Sequence, residues 1–313
     1  MLRYITQRLL ESLIVLLLVS LATYLLLGLM PGDPVDLLIS GDPNLTSEDA
    51  ARLREAYGLD RPIFERYLGW LGQALQGEFG YSRHFSRPAV VVLNDAVWVT
   101  LSVAAPALIL ALVLAIPFGL LAAGRQGGWL DQTINLSALI SLSLPTFWLA
   151  IMLIYLFAVE LRWLPAGGMG EGFSGRLEHL LLPVSVLALS LAGVFLRFTR
   201  AAAAEVLGQD YVRTAKAKGV SRVGLMLRHV LPNAALPLIT LSGLQLGALF
   251  SGTLIVEILF RQLGMGRVLY DAVLGNDYNL ALVALMLTTA ATLIGNLLAD
   301  LSHAWLDPRI TLR

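Results

Sequence analysis

Six long stretches of this chain contain no Asp, Glu, Lys or Arg: 12–32, 96–124, 132–159, 179–196, 229–256 and 278–299. A helix that crosses a bilayer needs about 20 mostly apolar residues. The fourth stretch is the shortest, and the others leave room for tilt. Backbone polar groups inside lipid must be satisfied within the segment, which selects helices here. Composition agrees, with 57% hydrophobic and 14% charged residues, against about 25% charged in an ordinary soluble domain. The mean hydropathy is +0.74. The expected fold class is therefore an all-α membrane protein with six transmembrane helices. The first apolar run exceeds a signal-peptide core and has no A-x-A site after it, so it reads as a retained span.

An even number of spans places both termini on one side, and short cytoplasmic loops favour Lys and Arg. With the termini inside, the loop 197–228 is cytoplasmic and carries Arg197, Arg200, Arg213, Lys216, Lys218, Arg222 and Arg228, the densest basic stretch in the chain. Inside segments then hold 12 basic and 6 acidic residues, and outside segments hold 10 and 16. Long outer segments weigh little in this rule, so both termini are expected in the cytoplasm.

The outer segment 33–95 reads as a small helical region between spans one and two. Pro31-Gly32-Asp33-Pro34 ends the first span. Thr46-Ser47-Glu48-Asp49 can cap a helix ending near Gly58. Pro62 suits the first turn of a second helix, Ile63 to Leu75, with Phe64, Tyr67, Leu68 and Leu71 on one face.

Several chemistries are excluded or disfavoured. Net charge is zero, which argues against nucleic acid as a partner, and the absence of Cys removes disulfides and thiolate sites. His84, His179, His229 and His303 are scattered, without metal-ligand spacing. No catalytic, cofactor-binding or metal-ligating residue is nominated. Gradient-driven carriers place ionisable groups inside the membrane, yet Glu11, Glu160, Glu257 and Asp300 fall at span ends. No G-x-x-x-x-G-K-[ST] phosphate loop is present. Energy for uphill transport would have to enter from another chain.

The loop between spans four and five is the most informative segment. After Asp210 and Tyr211 come Arg213, Ala215 and Lys216; Gly219 suits a left-handed C-cap and Ser221 the N-cap of a following helix. Two short helices with a tight bend are expected. The small residues Ala215, Ala217 and Gly219, flanked by Lys216 and Lys218, describe a knob that a cytoplasmic partner could approach closely.

Arg213-Thr-Ala215-x-x-x-Gly219, followed after nine residues by His229-Val-Leu231-Pro232, resembles the "EAA" loop of importer permeases of the ATP-binding-cassette class. The form Asp210-Tyr-x-Arg-Thr-Ala-x-Ala-Lys-Gly219 is similar to that of the peptide and nickel branch. So are Pro31-Gly-Asp-Pro34, Gly58-Leu-Asp-x-Pro62, Gly264-x-Gly-Arg267, Asp277-Tyr278 and Leu306-Asp-Pro-Arg-Ile310.

The resemblance implies a type I importer permease fold. Residues 1–32 form an N-terminal transmembrane helix, 33–95 an extracytoplasmic segment, 96–304 a five-span core with the coupling loop 197–232, and 305–313 a cytoplasmic tail. It further implies that Asp210, Tyr211, Arg213, Ala215, Lys216, Gly219, Leu231 and Pro232 form or brace a contact with an ATPase. The implied partners are a second homologous permease, two ATPase subunits or domains carrying ATP and Mg, an extracytoplasmic substrate-binding protein and the lipid bilayer of a bacterial inner membrane. Di- or oligopeptides are the implied cargo, with nickel, metal–chelate complexes or glutathione as alternatives. A lone gradient-driven carrier and a membrane scaffold are the rival classes. Two positions depart from the branch pattern: Leu263 stands before Gly264 and Asn279 after Tyr278. Finally, Gly243, Gly247 and Ser251 form a small-residue stripe at helical spacing. It is expected to pack within the chain, with a seam against the second permease as the alternative.

Overall fold

A computed structural model describes residues 2–29, 46–56 and 60–306. The turn at 31–34, the helix end at Gly58 and the terminal 307–310 stretch lie outside the described residues. The chain divides into two compact units, Leu2–Val97 with Val268–Ala290 and Trp98–Arg267 with Ala291–Arg313.

In the first unit, helix α1 (Leu2–Gly28) is the N-terminal apolar helix. Helix α2 (Ser47–Ala56) begins with a reciprocal cap. Thr46 Oγ1 accepts from the Asp49 amide at 3.3 Å, while Asp49 Oδ2 accepts from the Thr46 amide at 3.0 Å. These bonds satisfy donors that a helix start leaves orphaned. The Thr46 hydroxyl also donates to Asp49 Oδ2 at 2.6 Å, and this bond, followed by the one from the Thr46 amide, holds the Asp49 carboxyl below the usual carboxylate range. Helix α3 spans the expected residues, Ile63–Leu75, with Pro62 as its N-cap.

The buried face of α3 also differs from the expectation. Tyr67 and Trp70 are buried, whereas Phe64 and Leu68 are 59% and 64% exposed. Nearly every position of α3 is apolar, so two stripes compete, and contacts to α1 select between them. The Tyr67 ring meets Tyr24 edge-on at 5.6 Å, and Trp70 lies 6.2 Å from Tyr24. The Tyr67 hydroxyl shares a 2.8 Å hydrogen bond with Ser20 Oγ. Ile63 occupies the space that a side chain at Gly28 would need.

A two-residue hairpin pairs β1 (Tyr81–Ser82) antiparallel with β2 (Arg87–Pro88). Asp277 pins it: Asp277 Oδ2 accepts from Ser82 Oγ at 2.6 Å and from the His84 amide at 3.0 Å. Asn279, one of the departures from the branch pattern, lies against Gly80, where a Cβ would come within 2.8 Å of its side-chain nitrogen.

The second unit contains most of the remaining apolar helices. In chain order they are α4 (Ala89–Ala123), α5 (Trp129–Ser143), α6 (Thr146–Leu153), α7 (Gly172–Leu207), α8 (Asp210–Ala217), α9 (Arg222–Leu225), α10 (Leu231–Gly252), α11 (Leu254–Leu259), α12 (Met265–Leu274) and α13 (Tyr278–Leu306). Residues 89–97 of α4, most of α12 and residues 278–290 of α13 belong to the first unit. A π-helical turn, Ile154–Glu160, extends α6, and another, Met226–Val230, joins α9 to α10.

Among the described residues five helices are long and apolar enough to cross a membrane, and α5 with α6 and its π-helical turn supplies a sixth span if the bent pair counts as one. That pair turns through 99° between Ser143 and Thr146. Pro145 lies in the gap and has no N–H to offer the Ser141 carbonyl. The expected third span is therefore broken. The expected fourth span, 179–196, is the middle of the 36-residue α7. Its charged ends, including Arg176, Glu178, Arg197 and Arg200, remain helical.

Small residues set the packing distances. Ala104, Ala107, Ala111 and Ala115 of α4 are fully buried and join Val186 and Phe195 of α7 in the main core. Such residues let membrane helices approach closely. The glycine stripe of α10 follows the same logic. A Cβ at Gly243 would lie 2.9 Å from the Gly295 carbonyl, and one at Gly247 would lie 2.8 Å from the Thr292 Cα. This face is filled by the chain's own α13, so Gly243 and Gly247 pack within the chain. The Ser251 side chain lies outside the described residues.

Candidate functional site: the hairpin at the end of α7

The sequence builds the hairpin from three local signals. Gly208 and Gln209 end α7, and Gln209 leads into α8 as its N-cap with extended dihedrals. Gly219 then takes φ +81°, a left-handed conformation that lets the chain reverse. Ser221 accepts a hydrogen bond from the Gly224 amide at 3.2 Å and starts α9.

A small apolar core holds the two helices together. Val212, Ala215 and Leu225 are buried and pack with Val206, Leu207 and Val220. Ala215 therefore turns inward and braces the hairpin from beneath, a correction to the expectation that it lies on the knob's surface. Asp210, Tyr211, Arg213, Lys216, Ala217, Lys218 and Gly219 are exposed. Tyr211 is 45% exposed, and nothing lies within 4 Å of the position a Gly219 side chain would take. Arg213 reaches Asp210 at 3.3 Å across one helical turn, an exposed pair worth little. Leu231 and Pro232 begin α10 directly after the π-helical turn, with Pro232 in its first turn.

Two buried polar constellations escaped the sequence reading. Arg200, ten residues before α8, grips Asp131 with two bonds, Nε to Oδ1 at 2.5 Å and a terminal nitrogen to Oδ2 at 2.7 Å. The Gly127 amide and Asn135 Nδ2 donate to the same carboxylate at 3.0 and 2.8 Å. This ion pair ties α7 to α5. Removing one partner of a buried pair typically costs about 3–5 kcal/mol. Because the Arg200 side chain retains 30% exposure, the lower end is expected for Asp131→Ala, about 3 kcal/mol. Thermal unfolding in detergent measures this, and the double change with Arg200→Ala should recover part of the loss, because the stranded cation is the larger cost.

The second constellation surrounds Glu257, which is 1% exposed. Its Oε1 accepts from Thr100 Oγ1 at 2.7 Å and Thr253 Oγ1 at 2.8 Å, and its Oε2 accepts from the Arg267 amide at 2.8 Å. The glycine at 264 is explained here, since a Cβ there would overlap Glu257 Oε1. At Gly266 a Cβ would lie 2.9 Å from the Leu254 backbone. The Gly-x-Gly-Arg segment is thus the start of α12, seated on a carboxylate. Among the described residues no group of three His, Cys, Asp or Glu could hold a metal ion.

A set of apolar helices at bilayer length, one bent pair and an exposed polar hairpin braced beneath its helix ends define a multi-pass membrane permease subunit. Residues 115–312 match the family described as the binding-protein-dependent transport system inner membrane component, and residues 1–109 match the N-terminal part of the membrane component of such systems. The chain belongs to this family, the membrane-spanning permeases of ATP-binding-cassette importers. It is 39% identical over 316 residues to a protein of Brucella suis biovar 1 (strain 1330) named as a peptide permease, covering 99% of each chain. It is 35% identical to the oligopeptide transport system permease protein AppB of Bacillus subtilis (strain 168), covering 98% of each chain. It is also 35% identical to the glutathione transport system permease protein GsiC of Escherichia coli (strain K12), covering 99% of each. Among solved structures, a chain of the MetNI methionine ABC transporter in inward-facing conformations superposes with a TM-score of 0.55 at 17% identity, covering 69% of this chain and 98% of that one. The shared fold is that of a type I importer permease.

Proposed function

We propose that this permease forms half of a translocation pathway for di- or oligopeptides and is driven through the α8 hairpin by a separate ATPase subunit. The carrying observation is the hairpin itself: a polar, open face held by Val212, Ala215 and Leu225 and reversed at Gly219. In this reading a second permease, two ATPase subunits or domains binding ATP and Mg, and an extracytoplasmic binding protein complete the assembly; the family's description as binding-protein-dependent supports the last of these. Both termini and the loop 197–232 lie on the cytoplasmic side in this reading, in accord with the basic residues of that loop. Closure of the ATPases on ATP moves the hairpin, and the helices continuous with it move as rigid bodies.

Peptide cargo rests on the names of the Brucella and Bacillus relatives. Glutathione, itself a small peptide, is the second reading and rests on the GsiC relative. The complete transporter in proteoliposomes distinguishes them by uptake of labelled di- and oligopeptides against labelled glutathione. For the coupling face, Arg213→Glu should lower co-purification of the ATPase subunits about tenfold, the effect of about 1.4 kcal/mol, while membrane insertion stays unchanged. Undiminished ATPase retention together with parental uptake would discard α8 as the docking element.

A further inference from the structure

The space behind the hairpin carries a separate inference. A cavity of about 580 Å³ lies between the C-terminal ends of α4 and α7 and the hairpin. Its apolar walls include Leu207, Leu225 and Met226, and its polar lining includes Gln126, Lys216 and Arg222. No Asp or Glu is among the described lining residues. Lys216 has no ion-pair partner among the described residues, whereas Arg222 donates to the Gly124 carbonyl at the end of α4.

The charge balance identifies the ligand class. Two helix C-termini, at Ala123 and Leu207, each present roughly −0.5 of an elementary charge. Lys216 and Arg222 supply two positive charges, so about one positive charge remains over an apolar floor. The neighbouring Arg200–Asp131 pair is internally neutral and leaves that balance unaltered. A lone monoanion fits this, and the cavity's place at the ends of two apolar helices favours one attached to hydrocarbon.

We propose that this cavity binds the phosphodiester of an anionic phospholipid, with Lys216 as the main contact and Arg222 and Gln126 beside it. The site joins the ends of two apolar helices to the hairpin, so an occupied cavity holds the hairpin against the membrane face. The outward face of α8 stays open for a protein partner.

The full chain, purified without other subunits, is incubated with phosphatidylglycerol in a phosphatidylcholine background, and retained lipid is counted by native mass spectrometry. Juxtamembrane basic residues are worth about 1 kcal/mol each towards anionic lipid, which converts to about fivefold in retention. Lys216→Gln should lower phosphatidylglycerol retention by about that factor, and Ala204→Leu, which fills the floor without touching charge, should lower it as well. Lys218→Gln, two residues away and outside the cavity, should leave it unchanged. Equal retention in all four proteins overturns the site, as does an equal loss from the two lysine variants, which marks diffuse surface charge. Complete displacement of the lipid by millimolar inorganic phosphate assigns the cavity to a soluble anion and overturns the lipid. Because no ATPase is present, each outcome is independent of the coupling role of α8.

Discussion

Gly219→Val is expected to reduce uptake to background in the assembled transporter while ATP hydrolysis continues without response to substrate. The cause is conformational. At φ +81° an L-residue with a side chain costs about 1–2 kcal/mol, and a β-branched one more. The bend it must hold rests on a core of only Val212, Ala215 and Leu225 with their neighbours, too few to hold a strained reversal. Space is not the issue, since nothing crowds the position. Gly219→Asn separates the two causes, because Asn tolerates the left-handed region. It should keep more than half of the uptake. Immunodetection of the membrane-inserted chain confirms that each variant is made. A valine variant that transports like the parent would remove the hairpin from the mechanism.

The second large effect is expected at Glu257, and it is one of stability. Glu257→Ala strands the hydroxyls of Thr100 and Thr253 and the amide of Arg267, all of which now donate to one carboxylate. Hydrogen bonds to a charged group are worth about 1.5–3 kcal/mol each. Partial rehydration and non-additivity reduce the sum, so a loss of about 4 kcal/mol is expected, a large share of a typical stability of about 5–15 kcal/mol. Thermal unfolding in detergent reads the loss, and protease cleavage within 260–267 should rise with it. Gly264→Ala should act in the same direction, because its new methyl group displaces Oε1. Unfolding midpoints within a degree of the parent for both variants would show that this loop is held by something else.

The contrast between these two sites shows what was legible in the sequence. Gly219 and Ser221 carry their meaning locally, through a dihedral and a cap, and the structure places both as their residue types dictate. The spans were legible because charge inside lipid is costly, but that same rule clipped α7. A helix does not end where its first charge appears, and Arg176 to Arg200 stay helical beyond the apolar window. The break at Pro145 was written in the chain and was smoothed over by counting charges alone. Position on a helix face was less legible. On α3, Phe64 and Tyr67 are both candidates for the buried face, and the contacts of Tyr67 with Tyr24 and Ser20 of α1 decide between them. Asp131 and Arg200 stand 69 positions apart, so no local pattern joins them. Glu257 reads as a span end in the sequence because its partners, Thr100 and the amide of Arg267, come from α4 and the first turn of α12.

The elbow between α5 and α6 imposes one more condition. Hydrocarbon offers no donor to a carbonyl whose helical neighbour has been replaced by proline, and each such orphan costs several kcal/mol in that solvent. Wherever the acyl chains run, they must be screened from Ser141–Pro145 by other protein or by water. A dry lipid contact at this bend is the one environment its chemistry forbids.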